Sequence, residues 1–187
     1  MGRRLVDVGL ENLSSAPPEV LDCVFWETDQ DRAPDPRFLK EEWFSSTLLE
    51  WGSCGKLLLD DEEVVAFAQF APPSLFPRVA GFRAGRVSPD AVYLAYCYVT
   101  EGHRGRGVGS EVVRAVARDL VERGFRAVES LGESEWEGGW VLPGAFLGSN
   151  RFAVIRADPR VPLMRRELFG VTAPATAEAA AALPLHR

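Results

Sequence analysis

Cysteine is scarce. Cys23, Cys54 and Cys97 are the three present in 187 residues, odd in number and widely spaced. No CxxC pair or histidine cluster accompanies them, which argues against both a disulfide framework and a zinc site. Long apolar runs are missing too: none approaches the roughly 18 residues a membrane span needs. The opening MGRRLVDVGLENL is basic but lacks the apolar stretch of a secretory signal. The expectation is a cytoplasmic protein that does not enter the membrane. Positive charge is in short supply, with 21 Lys and Arg against 27 Asp and Glu and a formal net charge of -6. Such a field disfavours non-specific nucleic-acid binding and mildly favours cationic partners. No internal repeat is visible.

What is present is an ordinary globular composition, 47% hydrophobic and 26% charged. The length suits one domain, expected over residues 1–170. The Ala- and Pro-rich stretch 171–187 reads as a flexible C-terminal tail. A first short strand is expected near residues 5–8. Pro17 and Pro18 signal a helix start, with Val20, Leu21, Val24 and Phe25 following at helical spacing. Asp35 and Pro36 open a second helix, closed by Gly52. Residues 56–59 and 64–70 read as a hairpin around an acidic turn. Residues 71–90 form a Pro- and Gly-rich excursion. The run AVYLAYCYV, Ala91–Val99, is apolar on both faces and predicts a central strand. A helix follows from about Val108 to Arg123, with Val112, Val113, Val116 and Leu120 as its buried stripe and Gly124 as its C-terminal stop. Then come a strand over 125–130, an acidic Gly-rich loop over 131–140, a short helix within 142–150, and closing strands at 152–157 and 163–169. This order predicts a mixed α/β sheet.

One segment carries chemistry. Between the strong strand and the amphipathic helix lies Arg104-Gly105-Arg106-Gly107-Val108-Gly109-Ser110. Alternate glycines let the backbone turn sharply and approach a ligand closely. The first amides of the helix have no intrahelical acceptor, and with the positive helix end they favour phosphate oxygens. Arg104 and Arg106 add cationic donors. A P-loop would need Gly-Lys-Ser/Thr, and no lysine stands here. A dinucleotide fingerprint would read GxGxxG directly after the strand, and the spacing here is GxGxG.

The remaining pattern, Arg-x-x-Gly-x-Gly between a fourth strand and a third helix, resembles the acyl-CoA pyrophosphate loop of the GNAT superfamily. The resemblance spans roughly residues 5–169. Cys23-Val24-Phe25-Trp26-Glu27 also resembles a Cys-x-x-Trp-Glu sequence of small acetyltransferases. The resemblance implies a mostly antiparallel central sheet flanked by helices, with the fourth strand splayed from the fifth. It implies acetyl-CoA as co-substrate, with no metal. The loop residues Arg104, Gly105, Arg106, Gly107, Val108, Gly109 and Ser110 would hold the pyrophosphate. Backbone amides of Cys97, Tyr98 and Val99 would hold the pantetheine arm and polarise the acyl carbonyl. The implied reaction is direct transfer to a primary amine in a ternary complex; the alternative is an acyl-CoA sensor on the same fold. A nucleotide-binding oxidoreductase is disfavoured by the glycine spacing.

Many family members carry a tyrosine that protonates the departing thiolate. Here that place falls to Phe146 or Leu147, and Arg151 replaces the usual glycine. Candidate groups therefore remain open. Glu129 is expected at a strand end facing the cleft, as a base or as a solvated carboxylate. Tyr98 and Tyr96 are candidate donors to the thiolate or else core residues. Cys97 is a small buried residue or an acyl-carrying nucleophile. Glu133, Glu135 and Glu137 rim the acceptor site or are solvated. Trp26, Trp43 and Trp51 are placed in the N-terminal helices; Trp136 and Trp140 face ligand, a partner or the core. Polyamines, aminoglycosides, amino acids and protein N-termini all stay open as acceptors, and a homodimer is compatible with the pattern.

Overall fold

The structure, a computed structural model, describes residues 2–169; the expected tail lies outside the described residues. Strand β1 (Arg3–Asp7) precedes a four-residue helix α1 (Pro18–Leu21) and a longer helix α2 (Pro36–Glu50). Strands β2 (Gly55–Asp60), β3 (Glu63–Ala71) and β4 (Ala91–Val99) follow, then helix α3 (Val108–Glu122) and strand β5 (Ala127–Glu133). The two-residue β6 (Leu142–Pro143) leads into helix α4 (Gly144–Ser149), and β7 (Ala153–Arg156) and β8 (Leu163–Glu167) close the chain. The sheet runs β1-β2-β3-β4-β5-β8-β7, antiparallel except for β4 with β5, while β6 pairs with β5 in parallel at the far end.

Local chemistry explains most of these boundaries. Asp35 caps α2 by accepting from the Phe38 N–H at 3.1 Å, and Pro36 fills the first turn. The β2–β3 hairpin turns on Asp61 (φ 47°) and Glu62 (φ 72°), the paired positive angles of a two-residue turn that matches strand twist. Gly124 (φ 81°) ends α3 in the left-handed region.

Three expectations are corrected. The first helix stops at Leu21, so Cys23 to Glu27 is irregular backbone and Trp26 is not helical. Strand β5 extends to Glu133, because Leu131 pairs with Leu163 of β8, and Gly132 and Glu133 with Leu142 and Pro143 of β6, instead of entering a loop. The buried line of α2 is Lys40, Phe44 and Thr47, set by contact with the sheet; the apolar spacing put Leu39, Trp43 and Thr47 on one line with Phe44, Leu48 and Trp51 beside it, and did not include Lys40.

Two hydrophobic cores flank the sheet. One packs α1, α2 and the 72–87 excursion against Phe67, Tyr93, Ala95 and Tyr96, with Tyr98 half-buried beside them. The other packs α3 and α4 against Phe70, Leu94 and Val128, with Cys97 and Val99 beside them. Strict alternation would send Ala95 and Tyr96 to opposite faces. The irregularity between Gln69 and Phe70, which pair with Tyr96 and Leu94, puts both on the same face. Tyr96 and Tyr98 thereby share the face away from α3.

Candidate active site

Strands β4 and β5 form a ladder over only three pairs, Ala91 with Ala127, Val92 with Val128 and Tyr93 with Glu129. Ser130 Oγ donates to the Leu94 carbonyl at 2.8 Å; beyond it β4 runs on to Val99 and β5 to Glu133 without a ladder bond between them. This splay opens a groove of about 910 Å3.

The β4 wall of the groove has free backbone groups at known places. The Thr100 N–H bonds the Val65 carbonyl at 3.0 Å, so Thr100 faces β3. Alternation then turns Tyr98 and Tyr96 toward β3, and the N–H and C=O of Cys97 and Val99 toward the splay. The Val99 carbonyl accepts from Arg104 Nε at 2.9 Å, in keeping with that direction. Of the three expected amide donors, Cys97 and Val99 have the right aim and Tyr98 does not; Tyr98 contributes its side chain instead.

The loop end is built on glycine. Gly105 (φ 72°) and Gly107 (φ 79°) both occupy the left-handed region, and Gly107 is the N-cap of α3. No side chain caps that helix, so the amides of Val108, Gly109 and Ser110 point outward without intrahelical acceptors. Gly109 is buried where a Cβ would come within 3.0 Å of the Phe146 ring and 3.4 Å of Val99. Arg104, Gly105, Gly107, Val108, Gly109 and Ser110 all wall the groove. Arg106 is exposed and does not.

The opposite end is aromatic. Trp140 lies 5.5 Å from the Tyr96 ring and 6.4 Å from the Tyr98 ring, centroid to centroid. Its carbonyl accepts from Trp26 Nε1 at 3.2 Å, which pins the 134–141 loop to the N-terminal segment. Trp136, 45% exposed, completes the wall beside Gly138 and Gly139. Glu19, in the first turn of α1, also lines the groove. The Tyr98 phenol is held above its ordinary pKa by burial first and then by the neighbouring Glu19 carboxylate. Phe146 stands in the wall and, as expected, has no proton to donate; Leu147 is buried in the core.

Beneath Tyr96 sits a buried polar cluster. The Tyr96 hydroxyl donates to Glu27 Oε2 at 2.9 Å, and Gln69 Nε2 donates to Glu27 Oε1 at 2.9 Å. Lys40 pairs with the same carboxylate and lies 4.3 Å from the Tyr96 ring centroid. Burial, followed by the charge of Glu27, keeps Tyr96 protonated.

Glu129 is not brought to the groove. It pairs with Tyr93 inside the closed part of the β4–β5 ladder, because β5 continues four residues past it. Its side chain is fully buried, accepting from Arg165 Nη1 at 2.9 Å and from the Ser88 N–H at 2.9 Å. Cys97 is half-buried, and desolvation of its thiol pushes it up to about 12. Glu133 lines a separate, smaller cavity, and Glu135 and Glu137 are exposed. Glu19 escaped sequence reasoning, since a carboxylate in the first turn of a helix is ordinary. The Glu27–Lys40 pair left one trace, a lysine four residues before Phe44 on the buried line of α2.

The model of the acetyltransferase (GNAT) family matches residues 19–136, well over half of the chain. The chain belongs to the GNAT family. The match takes in the whole β4–loop–α3 unit, and the parallel pair β4–β5 in a mostly antiparallel sheet fits the GNAT fold. No curated protein matches the sequence. Among solved structures, yncA from Salmonella typhimurium, determined with its cofactor acetyl-CoA, is similar at 16% identity and a TM-score of 0.62, covering 94% of this chain and 99% of that one. PaiA N-acetyltransferase from Thermoplasma acidophilum, in complex with coenzyme A, is similar at 10% identity and a TM-score of 0.56, over 89% and 99%. The ribosomal-protein-S18-alanine N-acetyltransferase of Escherichia coli is similar at 12% identity and a TM-score of 0.56, over 93% and 98%. At these identities the likeness is one of fold. Among the described residues, no group of His, Cys, Asp and Glu gathers as a metal site, and no helix is long and apolar enough to cross a membrane.

Proposed function

We propose that this GNAT protein transfers an acetyl group from acetyl-CoA to a primary amine by direct attack in a ternary complex. The observation that carries the reading is the splay of β4 from β5, which leads to the uncapped, glycine-lined start of α3. That arrangement fits a pyrophosphate at the α3 amides and a thioester arm along β4. The acetyl-CoA-bound and CoA-bound neighbours support the choice of ligand.

The Val99 or Cys97 N–H is the donor for the acyl oxygen, where a preorganised hydrogen bond is worth roughly 3–4 kcal/mol to a developing oxyanion. The groove holds the amine in attack geometry, which supplies much of the rest. The amine nitrogen forms the C–N bond, the C–S bond breaks, and the thiolate departs. Of the two protons an ammonium must lose, one ends on the thiol and the other in solvent. The thiolate of CoA, with an acid constant near that of cysteine at about 8.5, is a weaker base than the Tyr98 phenolate. Tyr98 therefore donates a hydrogen bond to the thiolate without surrendering its proton. Cys97 carries no acyl group, since its thiol, pushed up to about 12 by desolvation, is un-ionised at neutral pH.

The decisive measurement pairs calorimetry of CoA binding with release of free CoA over an amine panel. Gly107→Glu should abolish binding, because the side chain is forced into the left-handed region and adds negative charge at the phosphate seat. Unchanged affinity in a folded Gly107→Glu protein would refute the reading. Tight acetyl-CoA binding with no release for any amine would favour the sensor.

A further inference from the structure

The acceptor end of the groove has a chemistry of its own. Tyr96, Tyr98, Trp136 and Trp140 supply four aromatic rings. The Tyr96 hydroxyl is committed to Glu27 and accepts from the Trp26 N–H at 3.4 Å, so toward the groove this residue offers only its ring. Gly138 (φ 106°) and Gly139 (φ 122°) wall the same end without side chains, which leaves room beside the indoles for a flat body.

Charge at this end is sparse. Glu19 and Glu101 are the carboxylates of the wall, and Glu101 belongs to the turn that enters the phosphate loop. Arg104 is the sole arginine of the wall; its guanidinium stands 5.8 Å from the Tyr98 ring centroid, with Nε held by the Val99 carbonyl. Lys40 lies close by but is buried and neutralised by Glu27. In the acetyl-CoA reading the remaining donors of Arg104 serve the phosphates, so among the described residues of this wall no cation is left over to bind a substrate carboxylate. One carboxylate there answers one ammonium and leaves the further charges of a polycation unmatched.

We infer that the acceptor is a primary monoamine on a flat aromatic body, without a carboxylate, its ammonium drawn to Glu19 and its ring laid against Trp136, Trp140 and Tyr98. This inference rests on the acetyltransferase reading and narrows it. The cationic head gains from the π faces as well as from Glu19, since an ammonium near an indole or phenol face is attracted by the ring quadrupole. Ring against ring adds to area burial when offset or edge-on.

The test compares 2-phenylethylamine, n-butylamine, phenylalanine and spermidine as acceptors, following CoA thiol release while calorimetry records acetyl-CoA binding. 2-Phenylethylamine should exceed each of the others in kcat/KM by about tenfold or more, the equivalent of about 1.4 kcal/mol of ring contact or charge matching. Trp136→Ala is the informative variant, because its half-exposed ring can be removed without opening the core. It should cut the preference of 2-phenylethylamine over n-butylamine to about twofold. Glu19→Gln should raise KM for 2-phenylethylamine about tenfold and leave kcat within about twofold, the mark of lost ground-state attraction. Faster turnover of spermidine or phenylalanine, or an undiminished aromatic preference in Trp136→Ala, would overturn the inference and leave the acetyltransferase reading standing. Acetyl-CoA binding without release for any of the four amines would instead bring down that reading, and this inference with it.

Discussion

Glu129→Gln separates a structural role from a catalytic one. The carboxylate is fully buried, with one oxygen on Arg165 and the other on the Ser88 amide. Removing one partner of a buried pair costs about 3–5 kcal/mol when the other charge is stranded. Arg165 is not stranded: it also donates to Asp90 at 2.8 Å and to Glu167 at 2.6 Å. The amide oxygen of glutamine can keep one of the two accepted bonds. The expected loss is therefore about 2–3 kcal/mol, lower than the full penalty. At this chain length each kcal/mol moves Tm by about 2–4 °C, so scanning calorimetry should record a fall of about 5–10 °C. Activity, assayed well below Tm, should stay within about twofold in kcat/KM, because the residue does not touch the groove. A general base would behave in the opposite way, losing about 100-fold or more in rate with Tm unmoved. The structural assignment is refuted by a Tm shift below about 2 °C, or by a rate loss above about tenfold in the folded variant.

Three further outcomes are expected. Lys40→Ala leaves Glu27 buried without its cation and should cost about 3–5 kcal/mol in denaturant unfolding. Arg151→Gly should stabilise by about 0.5–1 kcal/mol, since Arg151 (φ 68°) occupies the left-handed position after α4 where a side chain is strained; an unchanged midpoint would refute that. Cys97→Ala should keep kcat/KM within about threefold and leave the shape of its pH profile intact; a thiolate nucleophile with a thiol pushed up to about 12 would instead give the wild type an added rise with pH that the variant lacks.

Much of this was legible in one dimension because it is written locally. The GxGxG spacing, the valine stripe of α3 and the doubly apolar β4 each reflect constraints on neighbouring residues, namely left-handed turns, helical periodicity and two-sided burial. Those signals led to the glycine loop before α3, the β4 wall and the family. Even the departure at Arg151 could be read, although its cost emerges only with the backbone angle.

Tertiary structure decided what depends on register and on segments far apart in sequence. Where β5 ends is set by its pairing with β8 and then β6, and that extension moved Glu129 from an expected strand end into a closed ladder. Which β4 amides face the splay follows from the pairing with β3, where the Thr100 N–H bonds the Val65 carbonyl, a register that β4 alone cannot reveal. The aromatic end of the groove joins Glu19, Tyr98 and Trp140, more than 100 residues apart at the extremes, and the Glu27–Lys40 pair beneath it comes from an irregular segment and a helix. Their side chains meet only once both elements dock on the same face of the sheet. Local propensity carries no information about such a meeting, because the hydrophobic and ionic energies that drive it arise between elements and not within them.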